Sequence, residues 1–133
     1  MEHEKILVLD FGGQYNQLIA RRVRDLNVYC EVWSYKTPLE KIKAGGFKGI
    51  IFTGGPNSVY LHGSPIYDPE ILYLGIPVLG ICYGAQLIAF LKGGVIARAD
   101  RREYGKTLTR LNGDGGIFRG VANGESNGDG PYL

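Results

Sequence analysis

Residues 76–91 read Ile-Pro-Val-Leu-Gly-Ile-Cys-Tyr-Gly-Ala-Gln-Leu-Ile-Ala-Phe-Leu. An apolar run, Ile76 to Ile81, enters a Gly-x-Cys-x-Gly turn, Gly80 to Gly84, and Gly84 to Leu91 continues as a segment apolar on most helical faces. Strand, constricted turn and helix in that order form the nucleophile-elbow pattern, with sulfur where other enzymes carry the serine oxygen. The turn is tight enough that the residues two before and two after the nucleophile meet, and glycine alone leaves room. It holds Cys82 in a strained backbone conformation at the end of a strand. The sulfur then faces the start of the next helix, whose partial positive charge favours an anion. The amide of Tyr83 faces the oxygen that becomes negative when the thiolate attacks a carbonyl carbon. The competing reading, a structural cysteine between helix-packing glycines, is disfavoured by the strand before and the helix after.

Working outward, Lys5 to Asp10 (KILVLD) and Lys48 to Thr53 (KGIIFT) are apolar runs of the kind covered on both faces of a sheet. Val28 to Tyr35 is β-branched and aromatic and reads as a strand. Gln14 to Leu26 has helical spacing, with Leu18, Ile19, Val23 and Leu26 expected on the buried face. Short helices are expected over Leu39 to Ala44 after Pro38, and over Pro69 to Leu74 with Asp68 as N-cap. Shorter strands are expected over Val95 to Ala97 and Lys106 to Leu111. Alternating strands and helices predict an α/β fold: a three-layer, open, mostly parallel sheet with helices on both faces. The working loops then lie at the carboxyl ends of the strands, at Phe11-Gly12-Gly13, Gly54-Gly55-Pro56 and Cys82. Gly54-Gly55-Pro56 is either a second amide donor aimed at Cys82 or a plain turn. Cys30, mid-strand between Tyr29 and Glu31, reads as a small core or face residue.

Composition narrows the function classes. Fifteen basic against thirteen acidic side chains leave a net charge of +2, which gives no reason for a nucleic-acid partner. A hydrophobic share of 44% suits a globular chain. Two cysteines cannot make a disulfide scaffold, and no Cys/His cluster has zinc spacing, so no metal site is expected. No run approaches the roughly 18 apolar residues of a membrane span. No signal peptide is read at the N-terminus, so free thiols in the cytoplasm are expected. His3 is read as solvated and His62 as a loop histidine. Residues 122–133, rich in Gly, Asn and Asp, are expected to form a divergent, disordered tail after a domain over residues 1–121.

Four segments in order resemble the class I glutamine amidotransferase domains of GMP synthetases. Val8-Leu9-Asp10-Phe11-Gly12-Gly13-Gln14-Tyr15 with Leu18 to Arg24 is similar to that family's opening. Phe52-Thr53-Gly54-Gly55-Pro56-Asn57-Ser58-Val59 resembles its oxyanion loop, and Gly80 to Leu87 its cysteine elbow. Arg102-Glu103-Tyr104-Gly105 resembles a further segment, although glycine often stands where Arg101 does. The fold implied is the flavodoxin-like sheet of these domains, incomplete at its C-terminus. The resemblance implies that Cys82 attacks glutamine, releases ammonia and forms a glutamyl thioester that water hydrolyses. It implies that the amides of Gly55 and Tyr83 hold the oxyanion, and that Gly54, Pro56 and Gln86 bind glutamine. The implied partner is an ATP-pyrophosphatase (synthetase) domain or subunit that binds ATP and magnesium, aminates XMP to GMP and forms a homodimer. No cofactor is implied for this chain.

The sequence departs from that pattern after the elbow. The family completes its site with a Phe-His-Pro-Glu-like segment, and no histidine follows Cys82. Ser126-Asn127-Gly128-Asp129 resembles a family Ser-His-Gly-Asp segment with Asn for His. The chain is thus expected to match a truncated domain, inactive by itself, with an open sheet edge that invites association. The other readings are a non-catalytic fragment or pseudoenzyme that only binds, and a different cysteine-elbow hydrolase. A flavodoxin-type cofactor binder is rejected, because the first loop lacks hydroxyl residues for a phosphate.

Overall fold

The computed structural model describes residues 4–55 and 63–94. Four parallel strands, β1 (Lys5–Asp10), β2 (Tyr29–Ser34), β3 (Gly49–Phe52) and β4 (Val78–Gly80), lie in the order β2-β1-β3-β4. The register pairs Val8 of β1 with Val32 of β2 and Ile51 of β3, and Phe52 with Gly80. The central strand alternates its side chains between two cores, as period-two geometry requires. Leu7 and Leu9 join Ile50, Phe52, Ile42 and Leu87 on one face. Val8 joins Ala20 and Cys30, with Ile6, Val32 and Ile51 at the margin, on the other. Each fully buried large aliphatic or aromatic side chain contributes about 1.5–3 kcal/mol, so β1, apolar on both faces, anchors the sheet.

Helix α1 (Asn16–Asp25) connects β1 to β2, α2 (Leu39–Ala44) connects β2 to β3, and α3 (Tyr83–Leu91) follows β4. α1 covers the Val8 face, while α2 and α3 cover the Leu7–Leu9 face, giving the expected layers on both sides of the sheet. The bounds of β1 and α2 coincide with the stretches read from the sequence. The fourth strand is shorter than its apolar run because Pro77 has no N–H for the ladder; its carbonyl still accepts from Ile50 N at 2.9 Å. Asp68 caps as expected, accepting from Glu70 N at 2.9 Å, but the turn it opens over Pro69–Tyr73 is 3₁₀ rather than α.

The buried stripe of α1 corrects the sequence expectation. Asn16, Ile19, Ala20 and Val23 face the sheet, whereas Leu18 and Leu26 are 47% and 76% exposed. Spacing of three and four residues selects 16, 19, 20 and 23 as one face, and Leu18 points the opposite way. Asn27, at φ 63°, ends the helix in the left-handed conformation and turns the chain into β2. Cys30 is buried as expected, its thiol directed at the Ala20 carbonyl at 3.4 Å. Pro56, His62, His3, the strands expected at 95–97 and 106–111, Arg102 to Gly105 and the tail lie outside the described residues.

Candidate active site

Three loops leave the carboxyl ends of β1, β3 and β4, and each is shaped by a backbone demand. After β1, Asp10 Oδ1 accepts from Gly12 N at 2.7 Å, and Gly12 takes φ 91° to close that turn. After β3, the Thr53 hydroxyl donates to the Leu9 carbonyl at 2.9 Å and ties the two strand ends together. Gly54 and Gly55 follow at once. After β4 the chain must turn straight into α3.

Cys82 makes that last turn. Its φ of 56° and ψ of −118° match the first central position of a type II′ turn, where glycine is the usual residue. The turn closes with Gly84 N on the Ile81 carbonyl at 3.0 Å. A Cβ on Gly80 would come within 2.7 Å of the Gly84 carbonyl and the Ala85 nitrogen. A Cβ on Gly84 would fall on the Phe52 carbonyl group, 2.6 Å from its carbon. The two glycines of the Gly-x-Cys-x-Gly pattern therefore let the elbow fold on itself and let α3 sit directly on β3. Cys82 is exposed, at the N-cap of the nine-residue α3. Its carbonyl accepts from Ala85 N and Gln86 N at 3.0 and 3.3 Å. Among the described residues, no backbone carbonyl takes the amide of Tyr83 or of Gly55.

The loops pack on one another. A Cβ on Gly13 would lie 2.5 Å from the Gly54 carbonyl oxygen, and one on Gly55 would lie 2.8 Å from the Tyr83 ring. The first loop thus leans on the second, and the second rests on the residue after Cys82. Gln86, half-buried, lies one turn into α3. Of the residues singled out from the sequence, the structure brings together Gly54, Gly55, Cys82 and Tyr83; Pro56 lies outside the described residues. The Tyr83 side chain was not singled out. It is 3% exposed, its ring centroid is 5.9 Å from that of Phe11, and its hydroxyl donates to the Pro65 carbonyl. Burial raises its phenol above the ordinary value of 10.0, and neighbouring Tyr35 adds to the rise. The adjacent Gly54 and Gly55 mark a place of close approach in the sequence, but no spacing rule links positions 55 and 83.

An exposed sulfur on a strained turn, with the amides of Tyr83 and Gly55 taken by no described backbone carbonyl, is suited to attack a carbonyl carbon and to hold the resulting oxyanion. The family model for class-I glutamine amidotransferases matches residues 7–127. A glutamine-hydrolysing GMP synthase of Caldicellulosiruptor saccharolyticus is 59% identical over 121 residues, covering 91% of this chain and 24% of the relative. The enzyme of the same name from Ruminiclostridium cellulolyticum is 60% identical over 121 residues, with the same coverage. The chain spans about a quarter of the length of the curated relatives it matches. The crystal structure of a candidate GMP synthase subunit from Thermoplasma acidophilum superposes with a TM-score of 0.68 at 27% identity, covering 91% of this chain and 61% of that one. With a family match that runs from the first strand past the elbow, this chain belongs to the class-I glutamine amidotransferases.

Proposed function

We propose that this chain is the ammonia-releasing, glutamine-hydrolysing part of a GMP synthetase. The observation that carries the proposal is Cys82 itself, exposed at φ 56° on the N-cap of α3, with Gly55 resting on the next residue. In this reading the Cys82 sulfur attacks the side-chain amide carbon of glutamine and a C–S bond forms. The oxygen becomes negative between the amides of Gly55 and Tyr83. The C–N bond then breaks, the nitrogen leaves as ammonia with a proton, and water cleaves the thioester to glutamate. In this reading Gln86 and Gly54 bind the glutamine, and Pro56 is given the same role from the sequence resemblance alone. The ammonia passes to a synthetase part, which holds ATP and magnesium and aminates XMP.

The proton is the step this stretch serves least well. A positioned acid/base is typically worth about 10²–10⁴ in rate, and no histidine follows Cys82 in the sequence. Thioester chemistry without efficient turnover is the expected behaviour of these residues alone. The test is covalent labelling by a glutamine-like diazoketone, with ammonia release measured in parallel. Labelling confined to Cys82, protected by glutamine and lost in Cys82→Ala, supports the proposal. Ammonia release that survives Cys82→Ala refutes it.

A further inference from the structure

Among the described residues, Gly54 and Gly55 are held from two sides. A Cβ on Gly54 would meet nothing within 4 Å, so that side of the backbone is open among the described residues. Gly13 braces one side of Gly54. The other brace is Tyr83. Its ring lies against Gly55, and its hydroxyl donates to the carbonyl of Pro65, on the limb that runs toward the Pro69–Tyr73 turn. Phe11, itself stacked on Tyr35 at 5.8 Å and set edge-on to Phe52 at 5.2 Å, closes around the same ring. One side chain, adjacent in sequence to the sulfur, therefore touches both described limbs of the segment between β3 and that turn. Its phenol, raised by burial above the ordinary value of 10.0, carries its proton and can donate at neutral pH.

We propose that the Tyr83 side chain is a positioning residue: a strut that sets the Gly55 amide at a fixed place relative to the Cys82 sulfur. This rests on the glutamine-hydrolysing reading above and extends it from the Tyr83 amide to the phenol. Tyr83 touches no reacting atom through its ring or hydroxyl. It acts through Gly55, and misplacement of a donor by about 1 Å can lower a rate by about 10².

The test compares two reactions of the same sulfur in the full chain. Acylation by p-nitrophenyl acetate passes through an oxyanion: the C–S bond forms, the ester C–O bond breaks and p-nitrophenolate leaves. Alkylation by iodoacetamide displaces iodide at a saturated carbon and makes no oxyanion. Cys30 is buried, and Cys82→Ala supplies the blank. Tyr83→Phe keeps the ring and removes the hydroxyl; Tyr83→Leu removes both. The proposal expects acylation to fall about tenfold in Tyr83→Phe and further in Tyr83→Leu, with alkylation unchanged within about twofold. A ratio of acylation to alkylation that stays at the unsubstituted value in Tyr83→Phe overturns it. Should Tyr83→Leu lose its fold by circular dichroism, the Tyr83→Phe ratio alone decides. An unsubstituted chain whose Cys82 alkylates but acylates no faster than free cysteine overturns the glutamine-hydrolysing reading itself, a result distinct from failure of the strut.

Discussion

Replacing Cys82 with glycine and with alanine separates the strain of the elbow from the chemistry of its sulfur. Both variants lose the thiol, and the side chain is exposed, so neither loses much buried surface. They differ in the backbone. At φ 56° and ψ −118°, a residue with a Cβ sits in a sparsely populated region that costs about 1–3 kcal/mol, and glycine removes that cost. Glycine also loses more conformational freedom on folding, which returns roughly 0.5–1 kcal/mol. The difference leaves Cys82→Gly more stable than Cys82→Ala by about 1 kcal/mol, and at most by about 2.5 kcal/mol. Urea unfolding at matched m-values measures this directly, and in thermal unfolding it is a gain of about 4 °C. A Cys82→Gly variant less stable than Cys82→Ala would refute the argument that the elbow is strained. The expected result also means that the fold keeps a side chain at position 82 at the expense of stability, the trade expected if Cys82 is the nucleophile proposed above.

Gly84→Ala places a methyl on the Phe52 carbonyl group and should lower stability by about 1–3 kcal/mol, whereas Gly54→Ala meets nothing within 4 Å and should stay within about 0.5 kcal/mol; urea midpoints compare them. Thr53→Val removes the hydroxyl bonded to the Leu9 carbonyl and should cost about 1–2 kcal/mol in the same assay. The phenols of Tyr67 and Tyr83 are both raised above 10.0, chiefly by burial, with Asp68 adding to the first and Tyr35 to the second. Above pH 10 the unfolded chain therefore holds fewer protons than the folded one, so stability is fully present below that pH and falls as pH rises through the folded values. Urea midpoints between pH 8 and pH 11 should show the fall, and the double variant Tyr67→Phe with Tyr83→Phe should flatten it.

Much of this architecture is written locally. Apolar runs and glycine punctuation mark β1 and β3, Pro38 precedes α2, and the elbow follows from two glycines flanking one cysteine between a strand and a helix. Each depends on backbone sterics within a few residues, and such rules survive in any context. The face that α1 buries departs from the sequence expectation at Leu18 and Leu26, because apolar character alone does not say which side of a helix meets the sheet. Ala20, small enough to let α1 approach β1 and β2 closely, takes that face instead.

The chain of residues by itself determined that a sulfur would stand on a constricted bend at the end of a parallel strand. Only the tertiary structure decided what surrounds that bend: Gly13 against Gly54, Gly55 against the Tyr83 ring, and the Tyr83 hydroxyl on Pro65. Those contacts join residues 18 to 41 positions apart, and they exist because the strand order β2-β1-β3-β4 brings the carboxyl ends of β1, β3 and β4 side by side. Local sterics act through covalent neighbours and can be read along the sequence, whereas loop-on-loop packing depends on which strands pair, and pairing is a property of the assembled sheet.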